Sequence, residues 1–196
     1  MNDNKRTTES RHNGSRQPDD TGQSPDERKE EVWSLVDEAA RLLAVKRPGE
    51  AIPLLTRAWE LDPQNVATAI NLGGAYILQG KHRLAVPFLE EAARLEPDNV
   101  MAWTNLGAAY LGKLPFASVD MQNQAIEAFE KALALDPSAP NISYNLGLIF
   151  LERNDPLRAS AHFHKALEAN PADRDAQHWL DKIRRGETES PATPEG

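Results

Sequence analysis

Apolar residues recur through the middle of this chain at the spacing of a single helix face. Leu72, Ala75 and Tyr76 form one such group, and Leu106, Ala109 and Tyr110 form another. Recurrence at i, i+3, i+4 predicts short amphipathic helices, each about 14 residues long. The pattern is interrupted at Gly80-Lys81, at Asn154-Asp155-Pro156, and wherever an acidic or amide residue precedes proline. No stretch shows sustained two-residue alternation, so the expected class is all-α.

The interruptions are periodic. Pro63, Pro97, Pro137 and Pro171 follow one another at intervals of 34, 40 and 34 residues. Asn-Leu-Gly occurs three times in phase with them, at Asn71-Leu72-Gly73, Asn105-Leu106-Gly107 and Asn145-Leu146-Gly147, each followed by an aromatic: Tyr76, Tyr110 or Phe150. Self-similarity at this period predicts a stacked-repeat architecture, in which function resides on an extended surface. A glycine inside a helix costs about 1 kcal/mol relative to alanine, so three in phase need a reason. Close approach of two helices supplies it, with Ala85, Ala125 and Ala159 expected opposite the glycines and the aromatics filling the wider space between neighbouring pairs. Pro53 and Pro87 occupy one repeat position, expected near the start of a second helix where a missing N–H costs little.

These repeats resemble tetratricopeptide repeats, in which a Trp, a Leu-Gly pair and an aromatic mark a first helix. An Ala, an aromatic or Leu, a second Ala and a Pro mark the second. The third repeat carries the whole set: Trp103, Leu106-Gly107, Tyr110, Ala125, Phe129, Ala132 and Pro137. The second has Ala69, and the fourth Ser143, where Trp would stand. The first is degenerate, with Glu38-Ala39 in place of Leu-Gly and Leu42 in place of the aromatic. The resemblance implies an all-α, right-handed solenoid of four helix pairs, over about 32–65, 66–99, 100–139 and 140–173. A capping helix is expected at 174–185, with Ala176, Trp179, Leu180 and Ile183 on its apolar face, so that the repeat domain spans 29–185. The third pair carries a six-residue insertion between its helices, unusually apolar through Leu114, Phe116, Val119 and Met121. It is expected either to fold back on its own repeat or to contact a ligand.

Composition narrows the function. The net charge is -8 and the sequence pI about 5.2, which argues against a nucleic-acid partner. There are no cysteines, which removes thiol catalysis and thiolate metal sites and fits a reducing compartment. The first residues lack the apolar stretch of a secretory signal, and no run approaches the roughly 18 apolar residues of a membrane span. A cytoplasmic protein without a membrane partner is expected. Residues 1–28 contain one large apolar side chain, Met1, and with residues 186–196 they are expected to be disordered tails.

No metalloprotease motif, phosphate loop or nucleophile elbow is present. His162 and His164, two apart on one helix, cannot share a metal. Neither catalytic residues nor a cofactor is expected. The resemblance implies a groove lined by the first helices, where Asn71, Asn105 and Asn145 recur with Asp37 at the same place in the first repeat. An amide both donates and accepts, so this ladder suits an extended peptide backbone; it resembles the asparagine ladder in the repeat arm of some glycosyltransferases. Ile70, Met101, Thr104, Tyr144 and Leu148 are expected beside it. Trp33, Val36, Leu43, Ile77, Leu78, Leu111 and Leu151 are also expected in or near the groove. The clamp variety of the family holds a ligand's carboxylate with Lys and Arg, where this chain has Val36, Ala40, Met101 and Asn105, so chaperone tails of that kind are not expected. The function implied is non-catalytic binding of a protein or peptide. The alternative is an accessory or regulatory subunit of an enzyme, such as a glycosyltransferase supplied as a separate chain.

Overall fold

The computed structural model describes residues 24–187; most of the expected N-terminal tail and nearly all of the C-terminal one lie outside the described residues. The described chain is an all-α solenoid of four helix pairs and one closing helix: α1 (Pro25–Ala44) with α2 (Pro48–Leu61), α3 (Val66–Leu78) with α4 (His82–Leu95), α5 (Val100–Leu111) with α6 (Val119–Leu135), α7 (Ile142–Glu152) with α8 (Pro156–Ala169), then α9 (Arg174–Arg184). Each helix packs on its partner, each second helix also packs on the helix that follows it, and α1, α3 and α5 touch in succession.

Local chemistry sets the boundaries. Asn65 and Asn99 each accept a hydrogen bond from a backbone N–H of the first turn, Thr68 at 2.9 Å and Ala102 at 3.1 Å, satisfying donors that a helix start leaves unpaired. The turns within the first, second and fourth pairs share one geometry. Lys46, Gly80 and Asn154 have φ of 57°, 71° and 55°, and the next residue's N–H reaches back to Leu42, Tyr76 or Phe150, closing the helix end in a left-handed cap. The repeat prolines lie in the turns between pairs, just after the helix-ending residues Asp62, Glu96, Asp136 and Asn170.

The first helix begins at Pro25, inside the segment expected to be tail. Ser24 and Glu27 cap it reciprocally, at 2.8 and 3.2 Å. The backbone and side-chain hydrogen bonds to Ser24 hold the Glu27 carboxyl below its ordinary range. Pro53 and Pro87 also differ from expectation. Each is the sixth residue of its helix and so lies past the unpaired first turn. Both are exposed, so water can reach the carbonyl that proline leaves without a donor.

The glycine contacts hold each pair together. A Cβ added to Gly107 would lie 2.5 Å from the Phe129 ring, one on Gly147 2.6 Å from Phe163, and one on Gly73 2.5 Å from Leu89. The opposing groups are therefore these large side chains, one turn beyond Ala85, Ala125 and Ala159. All three are wholly buried. In the first pair Ala39 and Leu55 stand in these places, both at 0 % exposure. The aromatics on the first helices do more than fill space between pairs. Tyr76 stacks on Phe88 of its own pair at 5.9 Å, whereas Tyr110 donates across pairs to Glu90 at 2.5 Å. Burial, with the Glu90 contact second, raises the Tyr110 phenol well above its usual range.

The insertion adds one turn to a helix and a short 3-10 turn, Leu114–Phe116. The helix α6 has 17 residues where α2, α4 and α8 have 14. Leu114 is buried and the turn packs on α7 of the following pair. Arg153 staples the extra turn, donating to Gln122 at 2.8 Å and Asn123 at 2.7 Å. Gln122, 5 % exposed, donates to the Ala117 carbonyl at 3.3 Å. At the C-terminal end, α9 buries Ala176, Trp179 and Leu180 against the last pair, closing the stack.

The glycines make a paired test. Gly107→Ala places a methyl into a rigid buried ring, and overpacking of this kind costs about 1–3 kcal/mol. Alanine's helix preference returns at most about 1 kcal/mol. Thermal unfolding should therefore show a lower Tm. Gly74→Ala meets only the Asn105 amide, at an ordinary 4.0 Å, and should raise the Tm. Equal effects from the two substitutions would contradict the packing account.

Candidate partner-binding face

The first helices present four repeat positions on one side. The position that holds Asn71, Asn105 and Asn145 is half-buried in every pair. None of the three amides hydrogen-bonds to another described residue. The Asn105 amide nitrogen lies 4.0 Å from where a Cβ on Gly74 would stand, so it spans the seam between α3 and α5. In the first pair Asp37 occupies this position and is engaged by Arg41 at 2.6 Å. The amides therefore form a row of three, ending in an ion pair.

The residues expected beside this row divide by burial. Met101 is 61 % exposed, with Trp33 at 72 % in the same repeat position and Leu78 at 57 % near the helix ends. These offer apolar surface. Ile70 is only 7 % exposed and belongs to the core between the second and third pairs, so it is not available to a ligand. Leu111 and Leu151 are likewise core. Thr104 shares Ile70's repeat position, but its hydroxyl donates to the Val100 carbonyl at 2.8 Å. Tyr144, again at that position, packs on Phe163 with ring centroids 5.7 Å apart. Burial above all raises its phenol, with smaller upward pushes from Asp175 and Asp173 opposed by a hydrogen bond with Trp179. Leu148 is half-buried against the last core cluster.

One feature was not legible in the repeats. Trp33 lines a cavity of about 570 Å³ at the N-terminal end of the face, with Lys29, Val36, Leu61 and Ala67. Its walls come from the start of α1 and the turn between α2 and α3. The only sequence signal was a Trp where the other pairs have Ala67, Met101 and Asn141.

The two neighbouring histidines lie differently on α8: His164 is exposed, while His162 is half-buried with its ring stacked on Phe150 at 5.2 Å. The His162 Nδ1 is buried without a hydrogen-bond partner among the described residues. Burial first, then the charges of Lys165 and Arg158, push its pKa below the usual 6.5. Among the described residues no helix is long and apolar enough to cross a membrane.

Residues 42–85 match the family described as Tetratricopeptide repeat, and residues 122–154 match TPR repeat. Solved structures share the fold. MamA from Desulfovibrio magneticus RS-1 is 24 % identical with a TM-score of 0.62, over 73 % of this chain and 77 % of that one. The pilF protein of Pseudomonas aeruginosa is 21 % identical with a TM-score of 0.67, over 82 % and 71 %. TTC0263, a thermophilic TPR protein of Thermus thermophilus, is 17 % identical with a TM-score of 0.65, over 79 % and 82 %. Comparison with the curated proteins gives no match.

The His162 environment has a measurable consequence. Its folded-state pKa is depressed, so below 6.5 the unfolded chain binds a proton more readily than the folded one. Stability should therefore fall as pH drops through that value. Denaturant unfolding at about pH 7.5 and about pH 5.5 should show the loss. His162→Phe should flatten it, and a wild-type slope unchanged by that substitution would contradict the assignment.

Proposed function

Since the chain is a tetratricopeptide-repeat protein, we propose that it is a non-catalytic scaffold that grips an extended segment of a protein partner along the face of its first helices. The observation that carries this reading is the row formed by Asn71, Asn105 and Asn145. Three amides in one repeat position lie on successive first helices, with no hydrogen bond to another described residue. An amide left free in this way can pair with both the N–H and the C=O of a passing backbone. Helices pack about 10 Å apart and an extended strand rises about 3.3 Å per residue. On the touching helices α3 and α5, Asn71 and Asn105 would therefore meet the ligand about three residues apart, a spacing that favours an extended peptide over a helix.

Exposed Trp33, Met101 and Leu78 flank the row and supply apolar contact for the partner's side chains. Such exposed aromatics and methionines are common anchors at interfaces. The cysteine-free, acidic chain fits a cytoplasmic partner and disfavours a nucleic acid.

The test is affinity capture with wild-type and Asn71→Ala/Asn105→Ala/Asn145→Ala protein, followed by titration of the protein retained. Each substitution should weaken binding by about 1 kcal/mol, the net worth of one hydrogen bond. The helical circular dichroism should stay unchanged. A partner that binds the fully helical triple variant as tightly as wild type would refute the ladder.

A further inference from the structure

The six-residue insertion builds a second recess, away from the amide row, at the edge where the turns within pairs emerge. It lies between the α3–α4 turn and the loop joining α5 to α6, and its volume is about 440 Å³, within the usual range for ligand pockets. Leu111 lines its floor, where His82 packs on Gly112 and its Nδ1 donates to the Gly80 carbonyl, 3.1 Å away. Leu84, Phe116 and Met121 line its walls.

Two properties separate this recess from an ordinary crevice. First, the packing of the insertion is already satisfied by Leu114 and Gln122, both buried, yet Phe116 stands 83 % exposed and Leu84 52 %. Nothing in the stack requires a phenylalanine there. Second, all the charged lining residues are basic. Lys81, Arg83 and Lys113 line it with no carboxylate among the lining residues, and all three are exposed. None of them is ion-paired with a described residue. On a chain of net charge -8, such a ring is a local reversal of sign.

We propose that this recess is a docking site for an acidic partner segment, one apolar side chain seated against Phe116 and flanking carboxylates held by Lys81, Arg83 and Lys113. The charge ring selects the occupant, because complementary potentials steer association and like charges reject the wrong partner. The apolar walls supply the anchor, as buried side chains do at interfaces. Only the third pair carries the insertion, so the other turns within pairs lack this wall. The site stands apart from the amide row and does not depend on it.

Fluorescence anisotropy on the full chain tests this with three labelled peptides: Asp-Glu-Asp-Phe-Leu-Asp-Glu, its charge-inverted form Lys-Lys-Lys-Phe-Leu-Lys-Lys, and Asp-Glu-Asp-Ser-Ser-Asp-Glu. The first should bind saturably, and the other two should bind at least tenfold more weakly. Phe116→Ser and Arg83→Glu/Lys113→Glu should each weaken the first peptide at least tenfold, and added salt should weaken it further. Phe116 is exposed, so its variant should keep wild-type helical signal. The triple asparagine variant should bind this peptide as wild type does. Absence of saturable binding, equal binding of the basic peptide, or unchanged affinity in Phe116→Ser would overturn the proposal. So would wild-type self-association that Phe116→Ser abolishes in sedimentation, which would make a second copy the occupant.

Discussion

The contact between a glycine on one helix and a large side chain on the next is what the rest of this structure depends on. At Gly73, Gly107 and Gly147 the missing Cβ leaves space that Leu89, Phe129 and Phe163 occupy, as close-packed interiors require. This contact brings the two helices of a pair together at their tightest point. The pairs then stack through Ala-rich surfaces, as in the buried cluster that Ala92 and Ala93 of α4 share with Ala102 and Ala109 of α5. Small residues on both sides let each pair approach the next without a large aromatic core. Stability in such an array comes from neighbour-to-neighbour interfaces, so every pair needs its own glycine contact or a substitute such as Ala39 with Leu55.

The same constraint shapes the candidate binding face. Side chains directed into a pair are consumed by packing. What remains on the first helices is a periodic outer row, where one residue type can recur at a fixed spacing. The asparagines occupy that row. Ile70, Thr104 and Tyr144, at the preceding position, are largely claimed by core packing or by a local hydrogen bond. The exposed part of that face is accordingly narrower than its composition suggests: three half-buried amides with Trp33, Met101 and Leu78.

Departures from the repeat are informative in a different way. The insertion tightens the junction between the third and fourth pairs through Leu114 and the Arg153–Gln122 contacts. It also leaves Phe116 outside, beside a cluster of basic side chains that lines an apolar-walled recess with no carboxylate among them. A repeat protein offers few places for unique chemistry, because its units share one geometry. An irregular turn is one of the few sites where a distinct surface can form without disturbing the stack.

Much of this was legible in the sequence because repetition averages out local ambiguity. The 34-residue period, the glycine phase, the proline turns and the closing helix each follow from spacing, since a position that recurs in every unit must serve the same contact. The segment around Ser24 and Glu27 could also have been read as a helix start from its capping pattern. Other features depended on neighbours distant in the chain. Gly107 promised a close approach, but only the packing showed that Phe129 fills it. Pro53 and Pro87 marked a common place, whose depth inside the helix depended on where the preceding turn ended. Leu114 and Phe116 are both apolar and two residues apart, and nothing local distinguishes them. One is buried because α7 lies against it, while the other faces solvent because no described element of the solenoid reaches that edge. Periodicity thus determines which contacts recur, and the three-dimensional stack decides which side chains those contacts leave free.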